Sequence, residues 1–238
     1  MAQQTQAPPR RVPLSRDRVL RAAVALADSA GIESLSMRKL AQELGVVPMA
    51  IYKHVANKDE LLDGMVDVVV AEIDPPIGGS DWKHAVRQRI LSARRALLRH
   101  PWASQALESR TNPTPLVLAY MDSMIAMFRD GGFSIDLTHH VMHAVGSRIY
   151  GFTQELFDDS PSVDPEAAAA MPAETAQRYP HITELVMAIS HDAGSVVGPG
   201  CDDQFEFEFA LDLLLDGIER LHRQELKSAR SAKAAERR

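Results

Sequence analysis

Residues 36–58 read SMRKLAQELGVVPMAIYKHVANK. Ser36 stands before an apolar repeat and can cap a helix. Met37, Leu40, Ala41 and Leu44 follow at helical spacing, which predicts a helix over 37–44 with one apolar face. Gly45 tolerates the left-handed backbone of a tight turn. Pro48 suits the first turn of a further helix, over 48–55. A helix, the turn Gly45-Val46-Val47 and a short second helix together make a helix-turn-helix, whose second helix can reach base edges in a major groove. The side chains fit that use. Ser36 and the amides beside it can hold a phosphate. Met37 and Arg38 share that first turn, and Arg38 can meet a phosphate or a guanine. Pro48, Met49 and Ala50 lead the second helix, where small or apolar groups can meet a thymine methyl. Tyr52, Lys53 and His54 suit phosphates and base edges, and Lys58 is a phosphate clamp at the next helix start.

The flanks support the reading. Ser15 is an N-cap, and Val19, Leu20, Ala23, Val24, Leu26 and Ala27 give a helical stripe that Gly31 ends. Asn57-Lys58-Asp59-Glu60 resembles a capping box. It opens a helix carrying Leu61, Leu62, Met65, Val66, Val69 and Ile73, closed by Pro75-Pro76. Residues 1–58 hold 9 Lys/Arg against 4 Asp/Glu, a charge of +5, whereas residues 59–238 carry −11. A cationic amino-terminal module on an acidic body fits a DNA-binding head with a body that does not bind DNA. Residues 1–14 read as a disordered arm, in which Arg10 and Arg11 can reach DNA or remain solvated. Residues 15–74 form the DNA-binding domain.

Beyond the head, helices are expected over 81–100, 102–109, 114–131, 134–157, 173–191 and 203–226. Loops are expected over 158–172 and 192–202, and a frayed charged tail over 227–238. No period-2 strand is evident. The fold class is therefore all-α, a three-helix head plus a larger helical domain over 81–226 for ligand binding and dimerisation. In the last long helix Phe207, Leu211, Leu214, Ile218 and Leu221 are spaced 4, 3, 4, 3, which is coiled-coil spacing. Phe205, Phe209 and Leu213 populate a neighbouring face. An apolar surface this wide needs cover on two sides, one from its own domain and one from a second subunit.

Other chemistry is sparse. Cys201 is the sole cysteine, which excludes an internal disulfide and suits a reducing cytoplasm. No apolar run approaches the roughly 18 residues of a membrane span, and residues 1–13 lack a secretory signal. No G-x-S-x-G, Gly-rich phosphate loop or HExxH occurs, and nothing demands catalysis. His139 and His143 share a helix face, but a metal site needs more ligands than one spaced pair, so no metal and no cofactor are expected. The alternative function is an all-α small-molecule-binding protein or enzyme with a merely structural hairpin.

Residues 16–74 resemble the DNA-binding domain of TetR-type transcriptional repressors. The resemblance rests on Ala30-Gly31, Ser36-Met37-Arg38-Lys39-Leu40-Ala41, Leu44-Gly45-Val46, Ile51-Tyr52-Lys53-His54-Val55 and Asn57-Lys58-Asp59-Glu60-Leu61-Leu62. It implies a homodimer on double-stranded operator DNA of two-fold symmetry, released by a small-molecule effector. It also implies a four-helix interface between subunits from 134–157 and 203–226. More weakly, Leu97-Leu98-Arg99-His100, Gly131-Gly132-Phe133-Ser134, Ala144-Val145-Gly146 and Glu155 resemble the tetracycline-responsive branch. Members of that branch bind a drug chelated to magnesium through histidines at two places. Those places fall near Leu107 and Ser147 here, and Glu155 alone makes no metal site. The expected effector is instead an apolar or aromatic small molecule, bound among Trp102, Leu107, Met121, Met124, His143, Ser147, Phe152 and Glu155.

Overall fold

The computed structural model describes residues 13–79, 81–110, 112–151, 177–189 and 203–235, and all regular structure among them is helical. In the head, α1 spans Arg16–Ala30 and starts where the Ser15 hydroxyl accepts the Arg18 N–H at 3.2 Å. Helix α2 spans Met37–Leu44, with the Ser36 hydroxyl accepting the Lys39 N–H at 3.2 Å. Helix α3 spans Pro48–Ile51 and α4 Lys58–Val70. At the start of α4 the Asn57 side chain accepts the Glu60 N–H at 2.8 Å, and the Glu60 carboxylate accepts the Ala56 N–H at 2.7 Å. That reciprocal pair satisfies two of the amides a helix start leaves free.

Leu20, Ala23 and Ala27 of α1, Leu40 of α2, Ile51 of α3 and Leu61 and Met65 of α4 close into the head's core. Gly64 marks the closest approach of α1 and α4, since a Cβ there would lie 2.6 Å from the Leu20 side chain. The chain divides into two compact units, Met1–Gly131 and Gly132–Arg238. The first unit continues from the head with α5 (Trp82–Arg99), α6 (Ala103–Glu108) and α7 (Pro115–Asp130). Val86, Ile90, Ala93, Ala103, Met124 and Phe128 form their core, and α4 packs on all three.

In the second unit α8 (Ile135–Gly151) packs against α10 (Asp203–Ala235), and α9 spans Pro180–Ile189. The Phe133 ring stacks on buried His222 at 3.9 Å, and the Ser134 N–H donates to Glu225 at 3.3 Å. Two helix lengths depart from the pattern. Helix α3 ends at Ile51 rather than residue 55. Tyr52–His54 form a turn, in which the His54 and Val55 amides both return to the Ile51 carbonyl, and this brings Val55 into the core before Asn57 caps α4. Helix α10 runs past residue 226 to Ala235, so most of the expected frayed tail is helical. Ala, Lys and Arg there are strong helix formers. Arg10, Arg11, the loops over 158–172 and 192–202, and Cys201 lie outside the described residues.

Candidate nucleic-acid interface

The turn between α2 and α3 depends on Gly45. Its φ of 66° is left-handed, and its N–H reaches the Gln42 carbonyl while the Val46 N–H reaches Ala41 at 2.9 Å. Pro48 fills the first position of α3, where no partner for a backbone N–H is needed. Ile51 and Val55 are fully buried and anchor the short helix from beneath. Most residues pointing the other way are open to solvent. Met49 is 70% exposed and Val47 68%, with Tyr52, Lys53 and Pro48 beside them. Ala50 and His54 are half-buried. Ser36, Arg38 and Lys39 are exposed at the start of α2 with Met37 half-buried, and Lys58 is exposed at the start of α4. Val47 escaped the sequence reading because a turn residue between two helices carries no periodic signal.

Arg38, Lys39, Lys53 and Lys58 pair with no carboxylate among the described residues. Cations elsewhere in the first unit do. Arg95 reaches Asp74 at 2.8 Å, Arg99 reaches Glu72 at 2.6 Å, and Arg110 reaches Asp63 at 2.7 Å and Asp59 at 3.2 Å. Free cations beside exposed apolar tips, on a rigid core, suit a polyanion whose groove edges carry methyl groups and hydrogen-bonding atoms.

A polar network unseen in the sequence ties this head to the helices behind it. Asp28 of α1 accepts the Trp102 indole N–H at 2.7 Å and meets His100 Nδ1 at 2.9 Å. His100 Nε2 lies 3.2 Å from Glu72, at the end of α4. The Ser92 hydroxyl donates to the Asp74 carboxylate and accepts the Asp74 N–H, both at 2.8 Å. Buried Arg89 donates to the Asp74 carbonyl and lies over the Tyr120 ring at 4.8 Å. Burial works to raise the Glu72 carboxyl, but hydrogen bonds from Arg99 and His100 outweigh it and hold it below its ordinary value. The Ser92 hydrogen bond, with Arg95, does the same for Asp74. Desolvation pulls Arg89 down.

Of the candidate effector residues, Trp102, Leu107, Met121 and Met124 lie in the first unit and His143 and Ser147 in the second. Trp102 is buried by its bond to Asp28, and its indole N–H is already satisfied, so it belongs to the head–α6 junction. Leu107 is half-buried on α6, Met124 is buried between α5 and α7, and Met121 is exposed on the same helix. His143 is exposed on α8 with its ring 4.8 Å from that of His139. Ser147 lies on α8 with its side chain outside the described residues, as are Phe152 and Glu155 altogether. Leu107 has no donor atom, so this chain lacks the histidine that a magnesium–drug site of the tetracycline type uses there. Among the described residues no three His, Cys, Asp or Glu side chains converge as a metal site. A groove of about 680 Å³ on the outer side of α1, lined by Ser15, Arg18, Arg21 and Glu43, touches none of the effector candidates.

On α10, Phe207, Leu211 and Ile218 are buried inside the protomer together with Leu215, which the 4-3-4-3 reading passed over. They lie in the unit that holds α8. Leu214 is half-buried. Leu221 is 48% exposed and joins Leu213, 59% exposed, and Phe209 on an outward stripe. Gly217 lies between them with open space where a side chain would be.

Residues 19–65 match the family described as "Bacterial regulatory proteins, tetR family", and residues 75–222 match "Tetracyclin repressor-like, C-terminal domain". The HTH-type transcriptional repressor DrrR1 of Streptomyces coeruleorubidus is 32% identical over 221 residues, 87% of this chain and 77% of that protein. The class D tetracycline repressor of Escherichia coli is 30% identical over 159 residues, 66% of this chain and 72% of its own. Among solved structures, ActR of Streptomyces coelicolor in complex with actinorhodin superposes with a TM-score of 0.67 at 26% identity, covering 88% of this chain and 98% of that one. The chain belongs to the TetR family of bacterial regulatory proteins.

Proposed function

We propose that this protein is a homodimeric, ligand-responsive transcriptional repressor of the cytoplasm, without catalytic activity, that binds a two-fold operator through residues 36–58. The carrying observation is the surface of that segment, where Arg38, Lys39, Lys53 and Lys58 have no carboxylate partner among the described residues and surround exposed Val47, Met49 and Tyr52. Two α3 helices of a dimer enter successive major grooves about 34–36 Å apart. The outward stripe Phe209, Leu213 and Leu221 of α10 supports pairing through that helix. The ligand held by ActR is actinorhodin, which supports an apolar or aromatic small molecule as the effector here. An allosteric coupling of about 1–3 kcal/mol weakens operator binding by roughly 5- to 150-fold when the effector binds.

The test is a gel shift on duplex DNA taken from beside the protein's own gene, with a salt titration. Sequence-preferring binding that falls steeply with salt is expected. Replacing Tyr52 and Lys53 together with alanine abolishes it while leaving folding and dimerisation intact. Specific binding that survives this double change overturns the assignment. Leu213→Glu is expected to yield a folded monomer by ultracentrifugation.

A further inference from the structure

Helix α4 is held from two sides. Its apolar face, with Leu61, Gly64 and Met65, lies against α1. Its other side carries Asp59, Asp63 and Asp67, spaced four residues apart and so on one helical stripe. The connection from α6 to α7 grips that stripe. Arg110 reaches Asp63 at 2.7 Å, the Asp59 carboxylate at 3.2 Å and the Asp59 carbonyl at 3.4 Å. Thr114, the N-cap of α7, donates its hydroxyl to Asp67. The Arg110 side chain is only 21% exposed and that of Asp63 only 33%, so this pair is shielded more than an ordinary surface pair. The Asp59 carboxylate is 79% exposed, so the shielded Asp63 pair and the bond to the Asp59 carbonyl carry most of the hold.

The gripped end of α4 is the end that meets DNA in the proposed reading. Lys58 is adjacent to Asp59, is exposed, and follows the Asn57 cap. We propose that Arg110, though outside the helix-turn-helix segment, is a positioning residue for operator binding: by clamping Asp59 and Asp63 it fixes where Lys58 meets the phosphate backbone. This rests on the DNA-binding reading above. The clamp has a signature that simple electrostatics reverses. Neutralising Asp63 makes the protein more cationic, which by charge alone tightens DNA binding. If the carboxylate instead anchors the helix start, its loss weakens binding.

The experiment selects a preferred duplex from a random-sequence pool with the full-length wild-type dimer. Dissociation constants on that duplex are then measured across salt for wild type, Asp63→Asn, Arg110→Gln, Lys58→Ala and the pair Arg110→Gln/Lys58→Ala. Circular dichroism fixes the folded fraction of each. Asp63→Asn and Arg110→Gln are each expected to bind about 5- to 10-fold more weakly. Arg110→Gln should flatten the slope of log affinity against log salt by about 0.9, as the loss of one phosphate contact does. The double variant should bind within twofold of Lys58→Ala alone, because both changes remove the same contact. Asp63→Asn binding as well as wild type or better, or additive losses in the double variant, overturns the clamp. Should Arg110→Gln fail to fold, the sign of the Asp63→Asn effect decides alone. A wild-type protein that selects no duplex overturns the DNA-binding reading itself, and that outcome is distinct from failure of the clamp.

Discussion

The outer surface of the head and the seam between α4 and α5 are both rich in cations, but they use them in opposite ways. On the head, Arg38, Lys39, Lys53 and Lys58 carry no carboxylate partner among the described residues. Along the seam, Arg95, Arg99 and His100 each meet Asp74 or Glu72, and buried Arg89 is held by the Asp74 carbonyl. A cation that must later meet phosphate loses by being paired beforehand, since the protein's own anion has to be displaced first. A cation that fixes helix geometry is instead held by its partner, and losing that partner costs most where the pair is shielded from water. The same residue types therefore report function in one place and architecture in the other, and the partner decides which.

Perturbations of the two regions should separate cleanly. The largest effect is expected for Lys53→Glu, which removes a contact and adds repulsion. Operator affinity should fall more than about hundredfold, with an unchanged unfolding temperature in a thermal melt. Asp28→Ala should do the reverse. It strands the buried Trp102 indole N–H and removes one of the two partners of His100, a loss of about 1–3 kcal/mol in denaturant titration, with near-normal affinity for the molecules that stay folded. Ser36→Ala bridges the comparison. Losing the cap costs about 1 kcal/mol of stability and also removes a hydroxyl from the phosphate-facing surface, so both readouts should shift modestly.

The smallest expected effect is on acid stability. Glu72 and Asp74 are held below their ordinary values by hydrogen bonds in the folded state. Their contribution is therefore complete above the unfolded carboxylate range, about pH 4, and is lost as pH falls through the lower folded values. Asp74→Asn should flatten the acid limb of a stability profile. A profile identical to wild type would mean that the seam contributes nothing through ionisation.

Much of the head was legible before any coordinates, because its signals are local. Ser15, Ser36 and Asn57 cap the helices they precede, each bonding an amide three residues on. Gly45 adopts the left-handed backbone its place in the turn demands. The seam was not legible. His100 meets Asp28 across 72 residues of chain, and Arg110 meets Asp59 across 51. No spacing rule reaches so far. Nor does the sequence show that the Trp102 indole N–H bonds to Asp28, 74 residues away.

Helix α10 shows the same division within one element. Its apolar periodicity announced a long helix with a wide buried face, and the helix is there. Periodicity states only that apolar side chains recur around the cylinder. Which of them meet the protomer's own core depends on how α8 lies against it. In the folded chain Phe207, Leu211, Leu215 and Ile218 are buried, while Phe209, Leu213 and Leu221 are exposed. The sequence by itself determined the helical class and the helix-turn-helix, because capping, turn chemistry and spacing act over a few residues. Only the tertiary structure decided which charges pair, which do not among the described residues, and which apolar face stays exposed, because those depend on side chains brought together from distant parts of the chain.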